Sequence, residues 1–245
     1  MKKLFDKNEV TFAVVLIVVY VVTGSVAINI DTAGTWIPQF IVSAVMAAVI
    51  GAFAVRNGLS RHLGLCAPEV PAAKMLMYIP LLLVACRSVL AGVGTDVSTA
   101  ALITRTLHML LVGFIEEVIF RGFLFRGIAR DNMKRAVIIS SLTFGIGHIV
   151  NLLNGSDIAD NLRQIVYAVA VGFMLVVILL RTGSIIPCIV FHSLNNMLTG
   201  FADGHIMRDI FGSRAGDMIL LCVGLVVAAG YTVYLWKALP ERELD

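Results

Sequence analysis

Glu116 and Glu117 are adjacent carboxylates in "GFIEEVIFRGFLFRG", residues 113–127, where nearly every neighbour is Phe, Ile, Leu, Val or Gly. An ionised side chain near a bilayer centre costs at least roughly 2.5–3.5 kcal/mol, so these acids must be compensated or must do chemistry. The chemistry open to a carboxylate with little water around it is proton transfer, as general base or acid. Helical spacing splits the pair by role. Glu117 and Arg121 stand four apart and share a face, so they can pair within one helix. Glu116 points about 100° away and must find its partner on another helix. Two later stretches have the same character. "FGIGH", residues 144–148, puts Phe144 and His148 on one face, with Gly145 and Gly147 allowing a neighbouring backbone close. "HSLNN", residues 192–196, puts His192 and Asn196 at i, i+4, so that both can address one ligand atom.

The elements that must position these groups are membrane helices. The chain is 59% hydrophobic and 14% charged, against about 25% charged in soluble domains. A spanning helix needs about 20 mostly apolar residues, and eight segments qualify: 10–30, 36–55, 73–94, 101–125, 136–153, 162–181, 184–202 and 217–236. The expected fold is an all-α polytopic bundle, one integral-membrane domain over 1–245, which leaves no separate soluble catalytic domain. With eight crossings and a cytoplasmic N-terminus, one side holds Lys2, Lys3, Lys7, Arg56, Arg61, Lys74, Arg121, Arg126, Arg130, Lys134, Arg135, Arg181, Lys237 and Arg242. The other side holds only Arg105, Arg163, Arg208 and Arg214, and Arg87 falls within a span. Cytoplasmic loops are enriched in Lys and Arg, so both termini are expected in the cytoplasm, with the cell membrane as the setting.

Depth then ties the motifs together. Counting 1.5 Å per residue from the basic side, Glu116 lies about 15 Å in, His148 about 18 Å, His192 about 12 Å and Asn196 about 18 Å. Three helices bring their strongly polar groups to one level, placed by this count in the cytoplasmic half.

The remaining features carry less. The start, residues 1–27, imitates a signal peptide, but its apolar run exceeds the usual 7–15 residues and reads as an uncleaved first span. Cys66, Cys86, Cys188 and Cys222 form no C-x-x-C pair and suggest neither a disulfide framework nor a thiolate metal site. The net charge of +3 follows from the loops, so no nucleic-acid partner is expected. Residues 56–72 could hold a short interfacial helix, and residues 203–216 are the other irregular stretch. Arg87 and His108 read as structural groups ahead of lining an outer cavity or contacting lipid head groups, and His62 and His205 as solvated loop residues. Arg126, Arg130, Lys134 and Arg135 read as anchors to anionic lipid, and the Phe residues of 120–125 as lipid-facing or packing groups.

"EEVIFR", "FGIGH" and "HSLNN" fit E-E-x-x-x-R, F-x-x-x-H and H-x-x-x-N, in that order, across residues 101–202. In this the chain resembles the CAAX protease and bacteriocin-processing family of intramembrane endopeptidases, which includes the type II CAAX prenyl endopeptidases. The resemblance implies a helical bundle whose cavity opens to the cytoplasm and to lipid. It implies a catalytic set of Glu116, His148, His192 and Asn196: Glu116 as the base, His148 positioning the water, and His192 with Asn196 as an oxyanion hole. Glu117, Arg121 and Phe144 support the site. No cofactor and no metal are implied, and the partners are the bilayer and a membrane-associated protein or peptide, prenylated in the CAAX case.

Competing readings stand beside this one. The glutamates could be a structural ion-pair cluster with Arg121 and Arg126, and His192 and Asn196 could be interhelical glue worth about 0.6 kcal/mol per bond. Glu116, His148 and His192 could be a His₂Glu zinc set, although no H-E-x-x-H helix is present. A non-catalytic immunity or scaffold protein is a further alternative. So is a proton-relaying transporter, without inverted-repeat symmetry to support it.

Overall fold

The computed structural model describes residues 1–94 and 97–240. Arg242, counted above with the basic loops, lies outside the described residues. The described chain is an all-α bundle, with a single isolated bridge between Val93 and Ala202. Its α-helices are α1 (Lys2–Lys7), α2 (Glu9–Ile30), α3 (Ile37–Arg56), α4 (Ile79–Cys86), α5 (Thr99–Glu117), α6 (Arg126–Ala129), α7 (Met133–Ile146), α8 (Ile158–Thr182), α9 (Ile186–Phe201), α10 (His205–Phe211) and α11 (Ser213–Ala238).

Five stretches are long and apolar enough to cross a membrane: α2, α3, α7 with its 3-10 continuation to Asn154, α8, and Arg214–Ala238 of α11. Their outward faces carry many exposed Val, Ile and Leu residues, as lipid contact requires. This is an integral membrane protein. Three expected spans take other forms. The fourth is an unbroken rod in which α5 runs into a π-helix at Val118–Phe125 and then α6, but Arg105, Glu116, Glu117, Arg121 and Arg126 interrupt its apolar run. The seventh is the 16-residue α9. The third is broken into a 3-10 turn at Ala72–Tyr78, α4, and a short turn at Val89–Ala91. Pro80 in the first turn of α4 has no N–H to bond back to the preceding turn. Leu76, Met77 and Tyr78 accordingly sit at positive φ of 50–58°. The interfacial helix expected within 56–72 is absent, and residues 57–71 form turns. Residues 205–211 of the other irregular stretch form α10.

α8 is the central helix, with 67% of its apolar window buried against 22–33% in the other four long spans. α7, α9 and α11 pack around it. Asp157 caps its first turn, accepting from the N–H groups of Ala159 and Asp160, and Gly183 at φ 70° ends it. α5 packs between α3 and α9. It meets α9 where a Cβ on Gly113 would fall 2.6 Å from the backbone N of Ser193, and Ser193 Oγ donates to Leu110 O at 2.9 Å. The missing side chain therefore lets α9 come close enough to bring His192 against the glutamates. Gly145 has the close approach expected of it, a Cβ there lying 2.8 Å from Val169 N, whereas Gly147 faces open space.

The loops gather at two ends. At the basic end, Glu9 is buried, accepts a hydrogen bond from His62 at 2.7 Å and forms an ion pair with Arg130 at 2.9 Å, and the rings of Phe5, Phe12, Phe53 and Phe123 fill the space between helices at centroid separations of 5.0–6.2 Å. His62 is thus a half-buried partner of Glu9 and not a fully solvated loop residue. Arg126 is only 5% exposed and not a lipid anchor, because the helix continues to Ala129 and carries it inside the bundle. At the opposite end lie the α2–α3 turn, the 3-10 segment ending at Asn154, and the α9–α10 turn. Asn29 Nδ2 meets Asn154 there at 3.4 Å, and Gly94 N–H donates to Phe201 O at 3.1 Å.

Candidate active site

The glutamates divide as their helical spacing requires. Glu117 and Arg121 are both 0% exposed and are joined by a 3.0 Å bond from Nη1 to Oε1. Arg121 also lies 4.1 Å over the Phe144 ring. Burying two charges is costly unless they are paired and hydrogen-bonded, and the pair gains a third member from α9. His192 Nδ1 lies 2.8 Å from Glu117 Oε1. A carboxylate can only accept, so Nδ1 carries its proton toward Glu117, and Nε2 is left 3.7 Å from Glu116 Oε2. The other oxygen of Glu116 accepts from the Tyr20 hydroxyl of α2 at 2.8 Å. The rod changes to π geometry one residue after Glu117, and Ser140 Oγ on α7 satisfies the carbonyl of Phe120 at 2.9 Å. A widened turn of this kind is frequent at functional sites.

His148 lies at the start of the 3-10 segment that follows α7. Its Nδ1 is 3.0 Å from the carbonyl of Phe144. That carbonyl can only accept, so in the neutral ring Nε2 holds the free lone pair. Phe144 is the common spacer: its ring centroid is 5.6 Å from the His148 ring and 5.4 Å from the His192 ring, both edge-on.

A cavity of about 640 Å³ lies within the bundle, and Glu116, Phe144, His148, His192 and Asn196 all line it. A narrower, largely apolar slot of about 160 Å³ beside α2 shares Tyr20, Glu116, Phe144 and His148 with it. Each of the four residues expected to be catalytic therefore faces one space, and Glu117 and Arg121 sit immediately behind. Among the described residues, no group of three His, Cys, Asp or Glu side chains is arranged to hold a metal ion. The arrangement supplies a carboxylate, an imidazole lone pair, and amide and imidazole nitrogens around one cavity, the ingredients of water attack on a carbonyl.

The cavity wall rises from Glu116 along Val112, Met109 and Arg105 of α5, and along Thr199 and Gly200 of α9, to Asp160 and Arg163 of α8 and Asp217 of α11. These last residues stand at the start of α8 and α11, so the mouth is at the end opposite the basic loops. The sequence leads to an expectation of a cavity open to the cytoplasm and of basic loops in the cytoplasm; in the structure the Asp160, Arg163 and Asp217 rim of the cavity lies away from the basic loops.

Three wall residues escaped the motif reading. Tyr20 is an isolated hydroxyl in an apolar span at the depth of Glu116, a signal available in the sequence. Asn195 accepts from the Tyr167 hydroxyl at 2.8 Å. Arg105 reads as a loop-side charge until the fold turns it inward. Arg87 and His108 also line the cavity, His108 Nδ1 lying 2.8 Å from Ser43 Oγ.

Residues 98–198, which carry all three motifs, match the family model described as Type II CAAX prenyl endopeptidase Rce1-like. This segment belongs to the CAAX protease family. The match supports, in general terms, a CAAX-type membrane protease acting on a protein or peptide. The CAAX protease segment covers α5 through most of α9 and leaves Tyr20, Arg87 and α11, all of which contribute to the cavity wall, outside it. Comparison with curated proteins and with solved structures finds no match.

Proposed function

We propose that the cavity is the active centre of a metal-independent intramembrane endopeptidase that cleaves a membrane-associated protein or peptide with a Glu116-activated water. Glu116 takes one proton from the water while His148 Nε2 accepts a hydrogen bond from the other. The hydroxide adds to the scissile carbonyl carbon, and the oxyanion receives hydrogen bonds from the Asn196 amide and from His192 Nε2. Because Nδ1–H is committed to Glu117, Nε2 donates in the form of the ring that carries both protons. Glu116 then returns its proton to the amine nitrogen as the C–N bond breaks, releasing an acid and an amine. Arg121 and Glu117 position His192, and Phe144 spaces the two imidazoles. The observation that carries this reading is the convergence of Glu116, His148, His192 and Asn196 on one cavity from three separate helical stretches.

The test is proteomic. Cells carrying Glu116→Gln should lose one or more C-terminal cleavage products present with the unchanged chain. Identical fragment patterns, with the biological effect retained, would instead favour a scaffold or immunity role. Purified protein should keep its activity in a strong chelator, and loss in chelator with recovery on adding zinc would sink the metal-free mechanism.

The sidedness follows the charge. We place the Lys- and Arg-rich end in the cytoplasm, which sets the mouth of the cavity at the outer face of the cell membrane. The expected substrate is then a protein or peptide presented at that face, and the geometry requires no prenyl group.

A further inference from the structure

Tyr20 of α2 has no place in this mechanism, yet it holds one oxygen of the base. Its hydroxyl donates to Glu116 Oε1 at 2.8 Å, while Oε2 lies 3.7 Å from His192 Nε2 on α9. The two oxygens of one carboxylate thus face opposite helices, and Tyr20 and Glu116 both stand where the cavity meets the slot beside α2. The last torsion of a glutamate is broad and two-fold, so nothing in the side chain itself decides which oxygen meets a water. A donor fixed on one oxygen does decide it. Holding α2 in place does not require this hydroxyl. Phe12, Ala13 and Leu16 are buried toward one end of the helix, where Glu9 also bonds His62, and Ala27 is buried toward the other.

We propose that Tyr20 is a positioning residue for the hydrolysis: by occupying Oε1 of Glu116 it leaves Oε2 as the oxygen that takes the proton from water and returns it to the amine. The proposal rests on the protease reading given above. Uptake and return then balance at one atom. A water O–H bond breaks as Oε2–H forms, and Oε2–H breaks as the amine N–H forms. Tyr20 keeps its own proton throughout and acts only through Glu116. Because Tyr20 lies on α2, outside residues 98–198, the geometry of the base depends on a helix that the CAAX protease segment does not include.

The experiment uses the full chain in detergent with Tyr20→Phe, which keeps the ring and removes the hydroxyl. The substrate is the purified protein whose cleavage product disappears with Glu116→Gln. Tyr20→Phe should lower kcat about 10–10²-fold, the scale of a misplaced reacting group, with KM within about twofold and the melting temperature unchanged. An unchanged kcat overturns the proposal. A loss confined to KM or to the melting temperature also overturns it, and makes the hydroxyl a tie between α2 and α5. A second readout needs no turnover. In a chain carrying fluorotyrosine, the fluorine resonance that Tyr20→Phe removes identifies Tyr20 among the five tyrosines, and Glu116→Gln should shift it. A resonance that stays in place shows that hydroxyl and carboxylate do not meet, which overturns the proposal independently of activity. If the resonance shifts but no cleavage product depends on Glu116, the hydrogen bond stands, the protease reading fails, and the role assigned to Tyr20 falls with it.

Discussion

At the scale of the residue, the site is organised by one shared carboxylate oxygen. Glu117 Oε1 receives both Arg121 and His192, so the buried charge pair and the orientation of the cavity imidazole are one arrangement. Arg121→Ala should leave Glu117 buried and uncompensated, a loss of about 3–5 kcal/mol visible as a lower melting temperature in detergent. Glu117→Gln with Arg121→Met should recover much of that stability but not the activity, because His192 then loses the acceptor that fixes its ring. Asn196→Ala should leave the melting temperature nearly unchanged and lower kcat about 10²–10³-fold, as loss of one oxyanion donor does; a full-rate Asn196→Ala enzyme would remove that residue from the mechanism. Helical spacing alone was enough to read the pairing of Glu117 with Arg121 and the turning of Glu116 toward another helix. It could not supply the Tyr20 hydroxyl on Glu116, which comes from a helix 96 residues away, nor the bond between His192 and Glu117, which depends on how deeply α9 settles against Gly113.

At the scale of the element, apolar segments of ordinary length were legible and interrupted ones were not. α2, α3, α8 and α11 follow directly from composition, while the third expected span fails at Pro80 and the positive-φ residues before it. Hydropathy averages over such a break. The motif residues reach one cavity because the rod from α5 to α6, α7 with its extension, and α9 run without interruption past it. The turn between α9 and α10 gives a prediction of its own. The Asp203 carboxylate is held below the usual range by the backbone N–H of His205 at 3.1 Å and by the His205 side chain at 2.6 Å. A depressed carboxyl stabilises the fold above its unfolded value, and that contribution is lost as pH falls through the folded one. Amide exchange at residues 202–205 should therefore speed up on acidification below the ordinary aspartate range, and Asp203→Asn should flatten the profile. An unchanged profile in that variant would show that the carboxylate does not hold the turn.

At the scale of the whole molecule, the decisive relation is between charge and opening. The basic loops could be counted from the sequence, but the mouth of the cavity appears only when the starts of α8 and α11 are brought beside the end of α9. In a chain with its four cysteines replaced by alanine, Ser156→Cys should react with a membrane-impermeant maleimide on intact cells, and Lys134→Cys only after lysis. The reverse pattern would turn the mouth to the cytoplasm and refute the assigned sidedness. The phenylalanine cluster at the basic end has a further effect. It fills the basic end with packed rings, while the chamber reaches the starts of α8 and α11 and the slot beside α2 holds only about 160 Å³. Severed pieces must back out along the route by which the next molecule arrives, so turnover should fall as the released fragment grows longer, even where bond cleavage itself is unchanged.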